Sequence, residues 1–289
     1  MLLMNLLRGF NYAYYTESEK ETPGNSFNKK NTQAMKTAAT VKYSKLSALY
    51  SDFSKYEEQC SIMYQTYRDD INSVFAPKNP DAPTLYILLS SNKGMCGNFN
   101  TDLHLFFEGI ISEQKVIPVV FCCGKKGIEY LDNKKIPYKE SFIFEDRPDF
   151  SVASEFFDKI MHLIKKGDVS DVKIVYQKYI NTMKQRPTCD DLLSFDKGAP
   201  KGEDPLFVPD KQTVINSTAE KILVSILYKR ILETALGAQA ATLTTMRSAY
   251  DTACEYSEQL ETQINRKRQS QVTADVIEIA SEHSMTEEG

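Results

Sequence analysis

Three segments of this chain carry residues whose types and spacing could do chemistry. The first is Ser90-Ser91-Asn92-Lys93-Gly94-Met95-Cys96-Gly97-Asn98-Phe99-Asn100, which gathers a lysine, a cysteine and two glycines just after a short apolar run. It reads as a strand–turn–helix junction, where Lys93 and a helix N-terminus could hold an anion and Cys96 could act as a nucleophile. Against that, the phosphate-loop order GxxxxGK[ST] and the dinucleotide order GxGxxG are both absent. Cys96 has no His–acid partner motif either. A tight turn inside the fold is the stronger reading. The second segment is Asn31-Thr32-Gln33-Ala34-Met35-Lys36. The third is Ile264-Asn265-Arg266-Lys267-Arg268-Gln269-Ser270-Gln271-Val272-Thr273, followed by Glu278-Ile279, and it places three positive charges together. Most charge runs are solvated helix faces, but an elongated helix also needs partners along its sides.

The elements that must position these segments fall into three zones. From Asn28 to Phe75 there is no Gly and no Pro. Leu46, Leu49, Phe53, Tyr56, Cys60, Met63, Tyr67, Asp70 and Val74 recur at a spacing of 3.5, and only Asp70 is polar. That pattern predicts a long helix with a coiled-coil-like stripe, roughly 72 Å long and ended by Ala76-Pro77. From Thr84 to Phe207 strands and helices alternate. Leu85–Leu89, Val116–Phe121 and Asp171–Tyr179 read as strands. Thr101–Ser112, Gly127–Leu131 and Phe150–Lys165 read as helices, the last with an apolar face of Phe156, Phe157, Ile160, Leu163 and Ile164. This order predicts an α/β fold with a parallel or mixed sheet covered by helices, Rossmann-like in plan. From Lys211 to His283 there is again no Pro, and the only Gly is Gly237. The seam Leu243, Met246, Tyr250, Ala253, Leu260 and Ile264 predicts a second long helix, continuous or bent at Gly237. Rods of this length do not fit inside a compact body and must bury their stripes on each other or on a partner. An antiparallel coiled coil flanked by an α/β domain follows; two broken helical bundles are the alternative.

Composition excludes other classes. Net charge is -4, with 35 Lys+Arg against 39 Asp+Glu, which argues against a general nucleic-acid binder. No stretch of about 18 apolar residues is available to span a membrane. The start lacks the basic region and cleavage site of a signal peptide. Six cysteines without a CxxC pattern read as reduced thiols, and three scattered histidines make a metal site unexpected.

In this order, the three segments resemble the gamma subunits of F-type ATP synthases. Ser90–Asn100 is similar to that family's S-[SD]-[DN]-K-G-[LM]-C-G-x-[FL]-N, through Lys93, Gly94, Cys96, Gly97, Phe99 and Asn100. Thr32–Lys36 is similar to its I-T-x-A-M-K. Asn265, Arg268, Gln269, Thr273, Glu278 and Ile279 fit its Y-N-x-x-R-Q-x-x-I-T…E-I. Ala240-Ala241 and Met246 fit A-A-R-M-x-A-M. The resemblance implies a central rotor shaft with no catalytic residue, metal or cofactor of its own. Its partners would be a ring of three alpha and three beta subunits, the epsilon subunit and the membrane c-ring, and catalysis would lie in the beta subunits. It implies that Arg268 and Gln269 catch a beta-subunit loop, that Met35 and Lys36 face the beta lever region, and that Leu206, Phe207 and Asp210 lie near the c-ring. The division expected is an atypical segment over 1–27, a long helix over 28–76, the α/β domain over 84–207 and a long helix over 211–283. Peripheral attachment to the cytoplasmic face of a bacterial cell membrane is expected, since no transit-peptide pattern is seen. The chain departs from the family at Thr37, Val208 and Thr242, and most of all over residues 1–27, where Pro23-Gly24 is expected to break a helix. A different reading, a nucleotide- or small-molecule-binding α/β enzyme with helical dimerisation arms, would require a ligand at the Lys93–Asn98 turn. A generic coiled-coil scaffold would leave Ser90–Asn100 unexplained.

Overall fold

The computed structural model describes the backbone of residues 2–114, 116–193, 208 and 210–287, and their side chains except those of 2–28, 279 and 281–287. Its described elements, in chain order, are α1 (Leu2–Thr66), α2 (Arg68–Val74), β1 (Leu85–Leu89), α3 (Phe99–Ser112), β2 (Val119–Cys123), α4 (Lys125–Lys134), β3 (Glu140–Phe142), α5 (Phe150–Lys166), β4 (Val172–Asn181), β5 (Lys184–Leu193) and α6 (Lys211–Glu287). Two compact units result, one of residues Met1–Ala38 and Met246–Gly289, the other of Ala39–Thr245.

Within the larger unit the strands form one mixed sheet in the order β3-β2-β1-β4-β5. The first four are mutually parallel and β5 returns antiparallel to β4. β1 is buried along its whole length, because helices cover both faces of a parallel sheet. Side chains alternate across it. Leu85, Ile87 and Leu89 join the core under α5, while Tyr86 and Leu88 join the core under α3 and α4. α5 buries the apolar face read from its sequence, Phe156, Phe157, Ile160, Leu163 and Ile164. Its ends are fixed by Asp149, whose Oδ1 accepts the Ser151 N–H at 3.1 Å, and by Gly167 at φ 86°.

The middle of α1 and the start of α6 complete the larger core on the α5 side, through Cys60, Ile215, Leu223 and Leu227. Here the two helices run antiparallel. Lys229 pairs with Glu57, and further back along α6, Lys211 Nζ lies 3.0 Å from Asp70 Oδ2. In the smaller unit the seam on α6 is half-buried at Tyr250, Ala253, Leu260 and Ile264, as its spacing requires.

Three expectations are corrected. Helix α1 begins at Leu2 and runs through Pro23-Gly24 without the expected break; a proline forfeits one backbone bond and bends a helix but does not forbid helix on either side. At its other end α1 stops at Thr66 rather than reaching Phe75. Tyr67 leaves helical geometry at φ -117° and ψ 29°, with no Gly or Pro there. The turn lets Tyr67 and Ile71 both enter the core. The stripe also departs at one position: Tyr56 is 52% exposed while its neighbour Glu57 is buried, held by Lys229, and the other seam residues are buried or half-buried as expected. Of the two readings of α6, continuous or bent at Gly237, the structure has the continuous one, with Gly237 serving packing.

Candidate partner surfaces and the signature turn

The Ser90–Asn100 segment links β1 to α3, and its side chains are spent on holding that link. Asn100 closes it. Its Oδ1 accepts the Ser91 N–H at 3.1 Å, and its Nδ2 donates to Ser91 Oγ at 2.8 Å and to Cys96 Sγ at 3.2 Å. Ser91 Oγ donates to the Lys93 carbonyl at 2.7 Å. The backbone enters the left-handed region at Met95 (φ 61°) and Gly97 (φ 55°). A β-carbon on Gly97 would also press on Thr245 Oγ1 at 3.3 Å. Gly94, in contrast, is not crowded: a β-carbon there would meet only Cε of Lys126, at 3.8 Å.

This geometry rules against ligand chemistry at the turn. Lys93 Nζ is paired with Asp146 Oδ2 at 2.7 Å, and Lys42 Nζ reaches the same oxygen at 2.6 Å. The two lysines hold the Asp146 carboxyl below the usual carboxylate range. Burial pushes the Cys96 thiol up, the opposite of what an activated nucleophile needs. The nearby start of α4 is closed too. Asn92 Oδ1 accepts the Lys125 N–H, the Ser91 carbonyl accepts the Lys126 N–H, and Ser90 Oγ accepts the Gly127 N–H at 2.7 Å. Strand order reverses between β1 and β4, the place where open α/β sheets usually take a ligand. There α6 lies across the strand ends, leaving a cavity of about 60 Å³ lined by Ser90, Lys93, Gly124, Ile231 and Ala238 among others. Phe99 is buried with Cys96 and Ala238.

The remaining singled-out residues are surface features. Arg268 and Gln269 are both exposed on α6. Met35 is 39% exposed on α1, and Lys36 Nζ sits 4.4 Å from the centre of the Tyr250 ring, a cation–π contact. Tyr250 and Arg268 are separated by roughly 27 Å along the helix at 1.5 Å per residue. The two pairs are therefore separate spots and not one site. Asp210 caps α6: its Oδ1 accepts the Thr213 N–H at 2.9 Å and its Oδ2 accepts the Thr213 hydroxyl at 2.8 Å. These bonds hold its carboxyl below the usual range. Leu206 and Phe207 lie outside the described residues.

Sequence reasoning missed one cluster. Arg230 forks between Asp190 (3.0 Å) and Glu233 (3.2 Å), with its guanidinium 5.2 Å from the centre of the Tyr176 ring. Tyr176 Oη donates to Asp190 at 2.8 Å, and the Tyr179 N–H donates to Glu233 Oε1 at 3.0 Å. Burial pushes the Glu233 carboxyl up, with Arg230 pulling against it. The only available sign was Glu233 on an otherwise apolar face of α6.

Within the larger unit a mixed sheet packs against two antiparallel helices, one of which covers its usual ligand crevice, and this defines the class as a helix-backed α/β body. The family model described as ATP synthase matches residues 27–283, and the chain belongs to that family. It is similar to the ATP synthase gamma chain of Desulfitobacterium hafniense, 27% identical over 263 residues covering 89% of this chain and 93% of that one. It is likewise similar to the gamma chain of Mycoplasmopsis synoviae, 26% identical over 269 residues, 88% and 92% of the two chains. Among solved structures its fold matches the central stalk and c-ring structure of the Tetrahymena thermophila mitochondrial ATP synthase, with a TM-score of 0.59 at 19% identity, covering 75% of this chain and 98% of that one. A chain of the Euglena gracilis mitochondrial ATP synthase matches with a TM-score of 0.56 at 14% identity, covering 91% and 94%.

Proposed function

We propose that this chain is the gamma subunit of an F-type ATP synthase, the turning central stalk that couples ion flow in the membrane sector to ATP synthesis or hydrolysis. The observation that carries this reading is the family match across residues 27–283, on a chain whose two long helices and mixed sheet have the architecture such a shaft needs. The division into a segment over 1–27, shaft helices over 28–76 and 211–283 and a body over 84–207 belongs to the same reading. Among the described residues no helix is long and apolar enough to cross a membrane. Attachment is through the complex, and we place it on the cytoplasmic face of a bacterial membrane.

In this reading the coiled coil stands inside a ring of three alpha and three beta subunits, and the chemistry takes place in the beta subunits. The α/β body meets the epsilon subunit and the c-ring. Rotation of an asymmetric rod presents a different side to each beta subunit in turn. Arg268 and Gln269, being exposed, are available to catch a beta-subunit loop: a guanidinium fork on a carboxylate is directional and can be broken and remade as the shaft turns. Met35 and the stem of Lys36 offer an apolar surface to the beta lever. Leu206, Phe207 and Asp210 are assigned to the c-ring side; the Asp210 carboxylate, already engaged in capping α6, contributes there through helix geometry rather than as a free acid.

The test is steady-state ATP turnover of a complex assembled from alpha, beta and this chain. Changing Arg268 and Gln269 together to Ala should lower turnover by roughly 10- to 100-fold, the effect of losing a hydrogen bond to a charged group worth roughly 1.5–3 kcal/mol. Unchanged turnover in a complex shown to contain the variant chain would remove the catch assignment.

A further inference from the structure

One stripe of α6 carries the polar contacts and the close packing that join this helix to the hairpin of β4 and β5 and to the signature turn. The residues are Arg230, Glu233, Gly237, Ala241, Thr244 and Thr245, spaced at threes and fours and so on one face. They cover roughly 22 Å of helix at 1.5 Å per residue. Both ends are polar. At one end Arg230 binds Asp190 of β5, and Glu233 accepts the Tyr179 N–H of β4. At the other, the Thr244 hydroxyl shares its proton between the Thr182 carbonyl at the hairpin tip, at 3.2 Å, and the Ala240 carbonyl of its own helix, at 3.1 Å. Between them lies a notch. A β-carbon on Gly237 would stand 3.0 Å from Cε2 of Phe99 and 3.4 Å from Cγ of Gln185, so the missing side chain is what seats the Phe99 ring against the helix. Phe99 is tied to the sheet in turn, its carbonyl accepting Gln177 Nε2 at 2.8 Å.

We infer that this stripe is a keyed coupling that locks the α/β body to the shaft helix against twist and slip. The inference rests on the rotor reading, and it assigns a role to the signature residues Gly97 and Phe99: they form the body's half of the key. Apolar packing alone is non-directional and would let a helix creep along its own axis. A ring inserted in a glycine notch blocks axial sliding. Hydrogen bonds with preferred angles at both ends of the stripe resist rotation about the axis. Arginine is required at 230 because one planar group must reach two carboxylates held by different elements, which a lysine ammonium cannot do with the same geometry. Lys229, at the edge of the stripe, pairs with Glu57 of α1, so load arriving through α6 is shared with α1.

The experiment uses the full complex of alpha, beta and this chain, fixed by its beta subunits and stalled with a non-hydrolysable nucleotide. A bead is attached through Ile117→Cys, a position 78% exposed in the loop before β2 and off the stripe. The angular variance of the bead reports how stiffly the body is held to the shaft. Arg230→Lys should widen that variance about twofold, because a lysine ammonium keeps one of the two charge-assisted bonds that the guanidinium makes, to Asp190 and to Glu233. Thr244→Val should widen it by less. ATP turnover should be unchanged in both. An unchanged variance in both variants overturns the coupling, as would full rescue of an Arg230→Met chain by Arg230→Lys, which would mean that only charge matters. If Arg230→Lys does not assemble, Thr244→Val, a half-exposed position, decides by the same readout. Failure of the rotor reading looks different: the unaltered chain would not join the complex, or its bead would not turn when ATP is supplied.

Discussion

Gly124 shows how a single missing side chain fixes the end of the sheet. Its φ is 95°, and a β-carbon there would lie 2.2 Å from the Ser90 carbonyl oxygen. Both the backbone strain and the overlap fall on backbone atoms that cannot swing aside. Gly124→Ala should therefore cost roughly 2–5 kcal/mol, read as a lower urea midpoint of the full chain; an unchanged midpoint would mean that the junction yields freely. His104 supplies a pH dependence. It is buried on α3, its Nε2 has no hydrogen-bond partner, and its ring stacks on Tyr130 with centres 4.3 Å apart. Burial lowers its pKa to about 4, so the unfolded chain binds the proton first as pH falls. Stability is then fully present above about pH 6.5 and lost progressively toward pH 4, by up to about 3 kcal/mol. His104→Phe should flatten that part of the stability profile, measured by urea unfolding across pH 4–7. The thiols shift the other way: burial pushes Cys122 up to about 12, so it should resist alkylation at pH 8 until the chain unfolds.

The pairing of α1 with α6 gives a contrast between breaking and replacing a buried ion pair. Glu57 is 2% exposed and holds both Lys229 and the Ser61 hydroxyl. Lys229→Met leaves that carboxylate buried without its cation and should cost about 3–5 kcal/mol, whereas Lys229→Met with Glu57→Leu should come close to neutral. Urea midpoints of the three chains check this; equal losses in the single and double variants would show that packing, not charge, governs the position. Most elements were legible because their signals were local: absence of Gly and Pro, a 3.5 period, and apolar runs such as Leu85–Leu89. What was missed depended on tertiary context. β5 is polar and contains Pro187, and reads as a loop; it is a strand because it lies at the sheet edge, where a missing N–H on the open side costs no ladder bond. β3, at three residues, carries too little pattern to detect. The stop at Tyr67 has no local breaker. The burial of Glu57 has no local sign either, because its cation, Lys229, comes from far along the chain. The signature turn was legible as a turn, but its seat against Gly237 was not, since a glycine in a helix signals a bend and a close approach equally well.

At the scale of the whole chain, two helices that together exceed the needs of the sheet domain make sense as a shaft, and the exposed residues along them make sense as contacts with subunits that turn past. The account stands or falls on assembly. The measurement that tests it most directly is the native mass of the complex formed when this chain is mixed with alpha and beta subunits of its own or a similar enzyme. A single species of three alpha, three beta and one copy of this chain is the expected result. A chain that stays alone would contradict the account. Repeating the mixing with residues 1–27 replaced by a family-like helical segment would then show whether the fault lies in that segment, as assembly would indicate, or in the assignment as a rotor shaft, as continued separation would indicate.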